Sequence, residues 1–379
     1  MKRFRLISKK NSAFIILFSI SILLLSWLIS PVIPQMLATQ SKTFNAVLEI
    51  VSNNFYDPKF NGVDWKAMQS KYAPQISKTQ TTEEAALIIN QMLGELNTSH
   101  TRFYIQSEPE YYQILGIFAP MNEELQKQLK SIFPSGKIEY SDIGIYTKKL
   151  NNKTFINTIL DGSPAAKAGL KIGDEIMSAD DKAFHPIQSF AGKAGQKVTL
   201  KIQRQPNPKR QQEITVTPKM FDTVTMFLDA QIASTQIIER EGKKIGYVHI
   251  WSYAGDKYQQ QLEDDLIYGR LKEADALVLD LRDGWGGAPM RALNIFLADP
   301  GFSLTNINRN GRRITYYSHW KKPVVMLVNE GSRSAKEVLA YGFQKAKIGS
   351  LVGTKTAGAV VAGRPFLLAD GTLLYVAVA

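Results

Sequence analysis

The sequence predicts a mixed α/β protein in which a helical segment, a β-rich module and an α/β layer follow an apolar N-terminal run. Three observations carry this reading. Apolar residues recur at helical spacing in residues 43–56, alternate at strand spacing between about 113 and 220, and fall into alternating strand-like and helix-like blocks from about 225 onward. The expected boundaries are 1–12 for a basic tail, 13–35 for an apolar span, 42–112 for the helical segment, 113–220 for the β-rich module and 225–379 for the α/β layer.

An apolar fraction of 44% over 379 residues is that of a globular chain with buried cores. The chain has no cysteine, which excludes thiol nucleophiles, thiolate metal sites and disulfides and leaves the redox compartment unread. A formal charge of +12 would suit an anionic partner, but the basic residues are scattered and no basic stripe interleaved with aromatics stands out, so nucleic acid is not expected as a partner. Part of the excess belongs to Lys2, Arg3, Arg5, Lys9 and Lys10, which precede the run AFIILFSISILLLSWLISPVI. That run reaches about 20 residues, enough to cross a hydrocarbon core with its positive flank in the cytoplasm. No A-x-A-like cleavage site follows it, so an uncleaved single-pass membrane anchor is expected, with the rest of the chain periplasmic or extracellular.

In the helical segment, Phe44, Val47, Leu48, Val51 and Phe55 share one face, and DPKF stops the helix. A second helix opens at Thr81, where T-x-x-E offers a capping box to Glu84, and buries Ala86, Ile89, Leu93 and Leu96. Its exit loop, LNTSHTRFY, delivers Ser99 and His100.

The β-rich module contains FINTIL, KVTLKIQR and EITVTPK. Its central stretch, a small-residue helix over 164–168 followed by Gly169-Leu170 and Gly173-Asp174, resembles the PDZ signature. The resemblance implies that the loop Asp142-Ile143-Gly144-Ile145 binds a peptide carboxylate, with the N–H groups of Ile143, Gly144 and Ile145 as donors and the peptide added to the sheet edge.

The last segment reads IGYVHIW, the helical DKYQQQLEDDLIYGRL, the strand ALVLD, the turn LRDGWGG, the helix MRALNIFLA and the strand VVMLV, then NEGSRSAKEVLAY. Such alternation argues for a largely parallel sheet, with its site at the carboxyl ends of the strands. Both glycine-rich turns fall there. A serine at a strand-to-helix turn, here Ser334, is a candidate nucleophile that needs a base. Gly286 and Gly287 leave room for a backbone N–H to point into a site, and the N–H of Ala335 at the helix start is the natural second oxyanion donor. Alone, each feature is ordinary: a glycine pair makes a tight turn and a serine caps a helix.

The order of helical segment, PDZ-like insert, LDLRDGWGG and a serine turn followed by VGTKTAG resembles the C-terminal processing (tail-specific) serine peptidases over nearly all of residues 43–379. The resemblance implies a crotonase/Clp-protease-like core and cleavage of protein or peptide substrates, often near a C-terminus. By motif match Ser334 is the nucleophile, within a string of Ser332, Ser334 and Glu337. Tail-specific members use a lysine just after the T-x-G turn as base, and the matching position here is Ala359.

Three readings follow. Lys336 or Lys355 substitutes for the absent lysine; or the chain is an inactive PDZ-type binding or scaffold protein; or LNTSHTRF matches the Ser-His pair of the branch typified by the tricorn protease core, in which histidine is the base. The third makes His100 the base, with Ser99 orienting its imidazole, and is the one adopted. Histidine's ordinary pKa leaves it neutral at pH 7. That branch places its orienting acid beyond the strand DGTLLYVAVA, so the chain is expected to be truncated at Ala379, leaving an apolar edge of YVAVA exposed. The remaining histidines, His185, His249 and His319, form no ligand cluster, and neither a metal nor another cofactor is expected. Nothing in the sequence sets the oligomeric state.

Overall fold

The computed structural model describes residues 32–205, 210–297 and 303–379. The expected anchor at 13–35 lies almost wholly outside them, and among the described residues no helix is long and apolar enough to cross a membrane. The chain divides into two compact units.

The first unit holds residues up to Asn97, Thr101–Ile105 and Leu368–Val376. Its helices are Val32–Asn54, Trp65–Ile76 and Thr82–Gly94. The expected apolar face is inward, with Phe44, Val47 and Val51 almost wholly buried, and so are Ala86, Ile89, Leu93 and Leu96. Half of the expected capping box forms: Thr81 Oγ1 accepts the Glu84 N–H at 3.1 Å, while the Glu84 carboxylate reaches past the cap to the Gln80 N–H at 2.6 Å. Residues Arg102–Tyr104 pair antiparallel with the C-terminal strand, Phe103 opposite Leu374. The segment expected to present an exposed apolar edge is therefore paired, and its Leu373, Leu374, Tyr375 and Val376 are buried.

The second unit comprises Thr98–His100, Gln106–Leu367 and Ala377–Ala379. Ser99 and His100 thus fall in the same unit as the serine turn, while the helix that precedes them falls in the first unit. The unit starts with helices Pro109–Phe118 and Glu123–Leu129, where strands had been expected from residue 113. Pro109 at the first helical position and buried Tyr111, Ile114 and Leu115 set the helical period. The β-rich module follows. Its strands run in the order Ile145–Leu150, Lys153–Ile159, Glu175–Ala179, Val198–Gln203 and Gln211–Val216 around a core that includes Ile143, Ile156, Phe190, Val198 and Leu200. The first of these is an edge strand.

The α/β layer has five strands in the order Gln236–Arg240, Lys243–His249, Ala276–Asp280, Val324–Val328 and Ser350–Gly353. The last four are parallel, and the first is an antiparallel edge. Alternating burial along Val324–Val328 packs Val324, Met326 and Val328 into the core. The helix expected from MRALNIFLA shrinks to Asn294–Leu297. Upstream of it Ala292 closes a turn on Pro289, and the Arg291 side chain is drawn to Glu263 at 2.8 Å.

Candidate active site

Four parallel strands release their chains at one end of the sheet, and two of those exits carry the glycine turn 281–287 and the serine turn 329–334. The turns are clasped together. Asn329 Oδ1 accepts the Asp283 N–H at 3.1 Å while its Nδ2 donates to Asp283 Oδ1 at 3.0 Å. Ser332, wholly buried, donates to the Leu281 carbonyl at 2.9 Å. Asp280, at the end of its strand, accepts from Tyr247 at 2.8 Å and from Arg282 at 2.6 Å; burial alone would raise its pKa, and these donors together with His249 hold it below the ordinary value.

Ser334 adopts φ 61° and ψ −138°, a region that side-chain-bearing residues rarely occupy. The surrounding bonds hold it there. Its N–H donates to the Ala359 carbonyl at 2.9 Å and faces Glu337 Oε2 at 3.1 Å. The Glu337 carboxylate also takes the N–H groups of Gly358 and Ala359, at 2.6 and 2.7 Å. One acid thus fixes the serine turn, the serine helix Ala335–Lys345 and the 357–359 loop to one another. Ser334 stands at the N-cap of this helix, in a capping box with Glu337.

Gly286 lies against this serine. A Cβ at Gly286 would collide with Ser334 Cβ and stand 2.9 Å from the Arg333 carbonyl and 3.1 Å from Ser334 Oγ. Gly287 has φ 93°, and a Cβ there would run into the backbone of Tyr253 and Ala254. The Gly286 carbonyl is turned away, accepting the Tyr253 N–H at 3.0 Å. No acceptor is recorded, among the described residues, for the N–H groups of Gly286, Gly287 or Ala335. These are the three expected oxyanion donors.

His100 is 7% exposed and has φ 59°. Its Nδ1 lies 3.0 Å from Ser99 Oγ, the contact expected of an orienting hydroxyl. Burial, reinforced by the positive charge of Arg333, lowers its pKa to about 4, and the negative charge of Glu337 opposes the shift. The two charges acting on His100 therefore come from the residue before Ser334 and from the carboxylate bonded to the Ser334 N–H. The histidine and the serine turn share one electrostatic environment.

The alternative bases are placed otherwise. Lys336 is wholly buried, and its Nζ donates to the carbonyls of Asp283 at 3.0 Å and Trp251 at 3.3 Å, bracing the glycine turn. Burial brings its pKa down to about 7 against the pull of Asp280 and Asp283. Lys355 is exposed, and Ala359 is buried. His249 is engaged through Nε2 with the Arg282 carbonyl at 2.9 Å.

In the β-rich module Ile143 is buried, Gly144 has φ 81°, and Ile145 opens the edge strand. The N–H groups of all three face the buried Asp142 carboxylate: burial pushes that acid up to about 7, and these donors restrain the rise. The expected carboxylate-binding loop thus presents its N–H groups to a carboxylate of its own chain. Reading the sequence did not single out Arg333, Trp285 or Gln113. Trp285 Nε1 donates to Gln113 Oε1 at 2.8 Å, and the Arg333 guanidinium stands 5.5 Å from the Trp285 ring centroid. No local pattern marks either contact.

Comparison with known proteins agrees with this layout. The profile of Peptidase family S41 matches residues 244–379, that of the Tricorn protease C1 domain residues 38–94, and that of the PDZ domain residues 141–217. Through residues 244–379 the chain belongs to peptidase family S41. As an S41 serine peptidase of the C-terminal processing kind, it is 26% identical to the carboxyl-terminal-processing protease of Synechocystis sp. over 87% of this chain and 74% of that one. It is 25% identical to the carboxy-terminal processing protease CtpB of Bacillus subtilis, over 81% of this chain and 60% of that one. Tricorn protease homolog 1 of Streptomyces coelicolor is 25% identical over 87% of this chain, which spans 30% of that protein. A solved photosystem II D1 C-terminal processing protease aligns with a TM-score of 0.49 over 89% of this chain and 87% of that one at 22% identity.

Proposed function

We propose that this S41 chain is a membrane-anchored, extracytoplasmic serine endopeptidase whose nucleophile is Ser334 and whose base is His100. The observation that supports it most is the pairing of a strained Ser334 φ of 61° with an adjacent glycine turn and a buried histidine whose charge environment is set by the residues flanking that serine.

In this reading Ser334 Oγ forms the bond to the scissile carbonyl carbon as its proton passes to His100. The carbonyl oxygen takes up negative charge, facing the N–H of Ala335 and that of Gly286 or Gly287. His100 then gives the proton to the departing amine as the C–N bond breaks, leaving the acyl group on Ser334. A water molecule, deprotonated by the same imidazole, releases the product acid and restores the serine. Ser99, at 3.0 Å from Nδ1, orients the ring. The PDZ domain presents substrate tails or gates the site, and the span at 13–35 holds the protein at the membrane.

The test is cleavage of an unfolded protein by the full chain beside Ser334→Ala and His100→Ala. Loss of cleavage in both variants supports the reading. Cleavage that survives His100→Ala assigns the base elsewhere, and a parent chain that never cuts makes this a peptide-binding protein instead.

A further inference from the structure

Arg333 directly precedes Ser334 and takes no part in the bonds that shape the serine turn. Its guanidinium stands 5.5 Å from the centroid of the Trp285 ring, and that indole is fixed in turn by its 2.8 Å bond to Gln113 and by the bond of the Trp285 N–H to the Trp251 carbonyl at 2.7 Å. Both ends of the contact belong to the candidate site, since Trp285 lies in the glycine turn and Arg333 in the serine turn. The charge reaches into the site as well, where it acts on His100.

Arg333 has no acid of its own. Among the described residues no carboxylate lies within ion-pair distance of it. The acids next to it in the site are already engaged: Glu337 by three backbone N–H groups, and Asp283 by the Asn329 amide. A guanidinium packed over an indole keeps its in-plane fork of N–H donors for a flat acceptor, and a carboxylate is the acceptor whose geometry matches that fork.

We propose that Arg333 is a specificity-determining residue that selects substrates carrying a carboxylate close to the bond attacked by Ser334. The carboxylate is either an acidic side chain flanking that bond or the substrate's own C-terminal carboxylate. This rests on Ser334 being the nucleophile, and it adds a substrate class that the nucleophile alone does not define.

Two peptide series with a common cleavable core separate the sources. One exchanges Gln for Glu at successive positions on either side of the bond. The other compares a free C-terminus with its amide at increasing distance from the bond. Wild type is expected to favour one carboxylate-bearing member by about ten-fold or more in kcat/KM, with the advantage shrinking as salt is raised. Arg333→Gln removes that ratio, Arg333→Lys keeps part of it, and Arg333→Glu shifts preference toward peptides bearing lysine at the same position.

The same ratios are read as binding affinities, by fluorescence anisotropy, in the Ser334→Ala background. They decide the role of Arg333 even if no peptide is cut, an outcome that would defeat the protease reading separately. A wild-type ratio near one, or a ratio unchanged in Arg333→Gln, overturns the proposal. Melting temperatures for each variant show whether a lost ratio reflects lost folding.

Discussion

Glu337 accepts the backbone N–H of Ala359 at 2.7 Å, so the position at which the tail-specific resemblance expects a lysine is tied to the first turn of the serine helix. The same carboxylate faces the Ser334 N–H, and the Ala359 carbonyl takes that N–H as well. A buried residue held this closely is part of the serine's scaffold. In the proposed reading the base comes from another segment, and the short stretch Thr98–His100, which carries His100, falls in the same unit as the serine turn.

Removing either proposed catalytic group should abolish turnover without unfolding the chain. Ser334→Ala and His100→Ala are each expected to lower kcat by about four orders of magnitude, because members of such a pair act as a unit. Ser99→Ala, which removes only the orienting hydroxyl, is expected to cost about ten-fold. Steady-state cleavage and thermal melts on the same preparations check this.

The acid limb of kcat/KM should lie near pH 4, the pKa to which His100 is lowered. Burial and Arg333 both disfavour the imidazolium, so the free base persists at pH 5, where an exposed histidine would be mostly protonated. Arg333→Gln removes a repelling charge and is expected to move the limb to higher pH. An inflection near 6.5 in wild type would contradict this.

Gly286→Ala and Gly287→Ala should fail differently. At Gly286 the new methyl strikes Ser334 directly, so activity is expected to fall by about a hundred-fold or more, well out of proportion to stability. At Gly287, with φ 93° and neighbouring backbone in the way, about 1–3 kcal/mol of stability should be lost together with activity. Denaturant melts alongside kcat separate the two.

Lys336→Met should change stability in a pH-dependent way. The lysine's folded-state pKa, about 7, lies below its ordinary 10.5, so wild type gains stability as pH rises between those values and carries the cost of a buried ammonium below them. The methionine variant lacks that cost but leaves the Trp251 and Asp283 carbonyls unpaired, a loss of about 1–3 kcal/mol. Its melting temperature relative to wild type should therefore be lowest at pH 9 and recover at pH 6.

Asp142→Asn tests the loop of the PDZ domain. The folded-state pKa, about 7, lies above the ordinary 3.8, so wild type loses stability as pH rises from about 4 to 7, when a proton that only the folded state retains is given up. The asparagine variant should match wild type near pH 4 and melt above it at pH 8. A pH-independent difference would show that the carboxylate is solvated.

Much of the fold was legible because its signals are local. Thr81 sits three residues before Glu84 and caps its helix through the Glu84 N–H, and VVMLV forms the strand its alternation indicates. Helices stand near residue 113 where strands were expected, because Tyr111, Ile114 and Leu115 carry a helical period, and within MRALNIFLA the described helix is confined to Asn294–Leu297, with the Ala292 N–H bonded to the Pro289 carbonyl upstream. Of the candidate site, Ser334, Gly286 and Gly287 are proposed from the sequence because strand ends and glycines mark them, whereas the contact of Trp285 with Gln113, 172 residues apart, has no local signal.

By itself the sequence determined which residues could do chemistry: a chain without cysteine, a serine between strand and helix, and a histidine in place of a lysine. Only the tertiary structure decided which of them share an environment. Burial and neighbouring charge are properties of packed neighbours rather than of residue type, and they set His100, Lys336 and Asp142 to pKa values that no local pattern encodes.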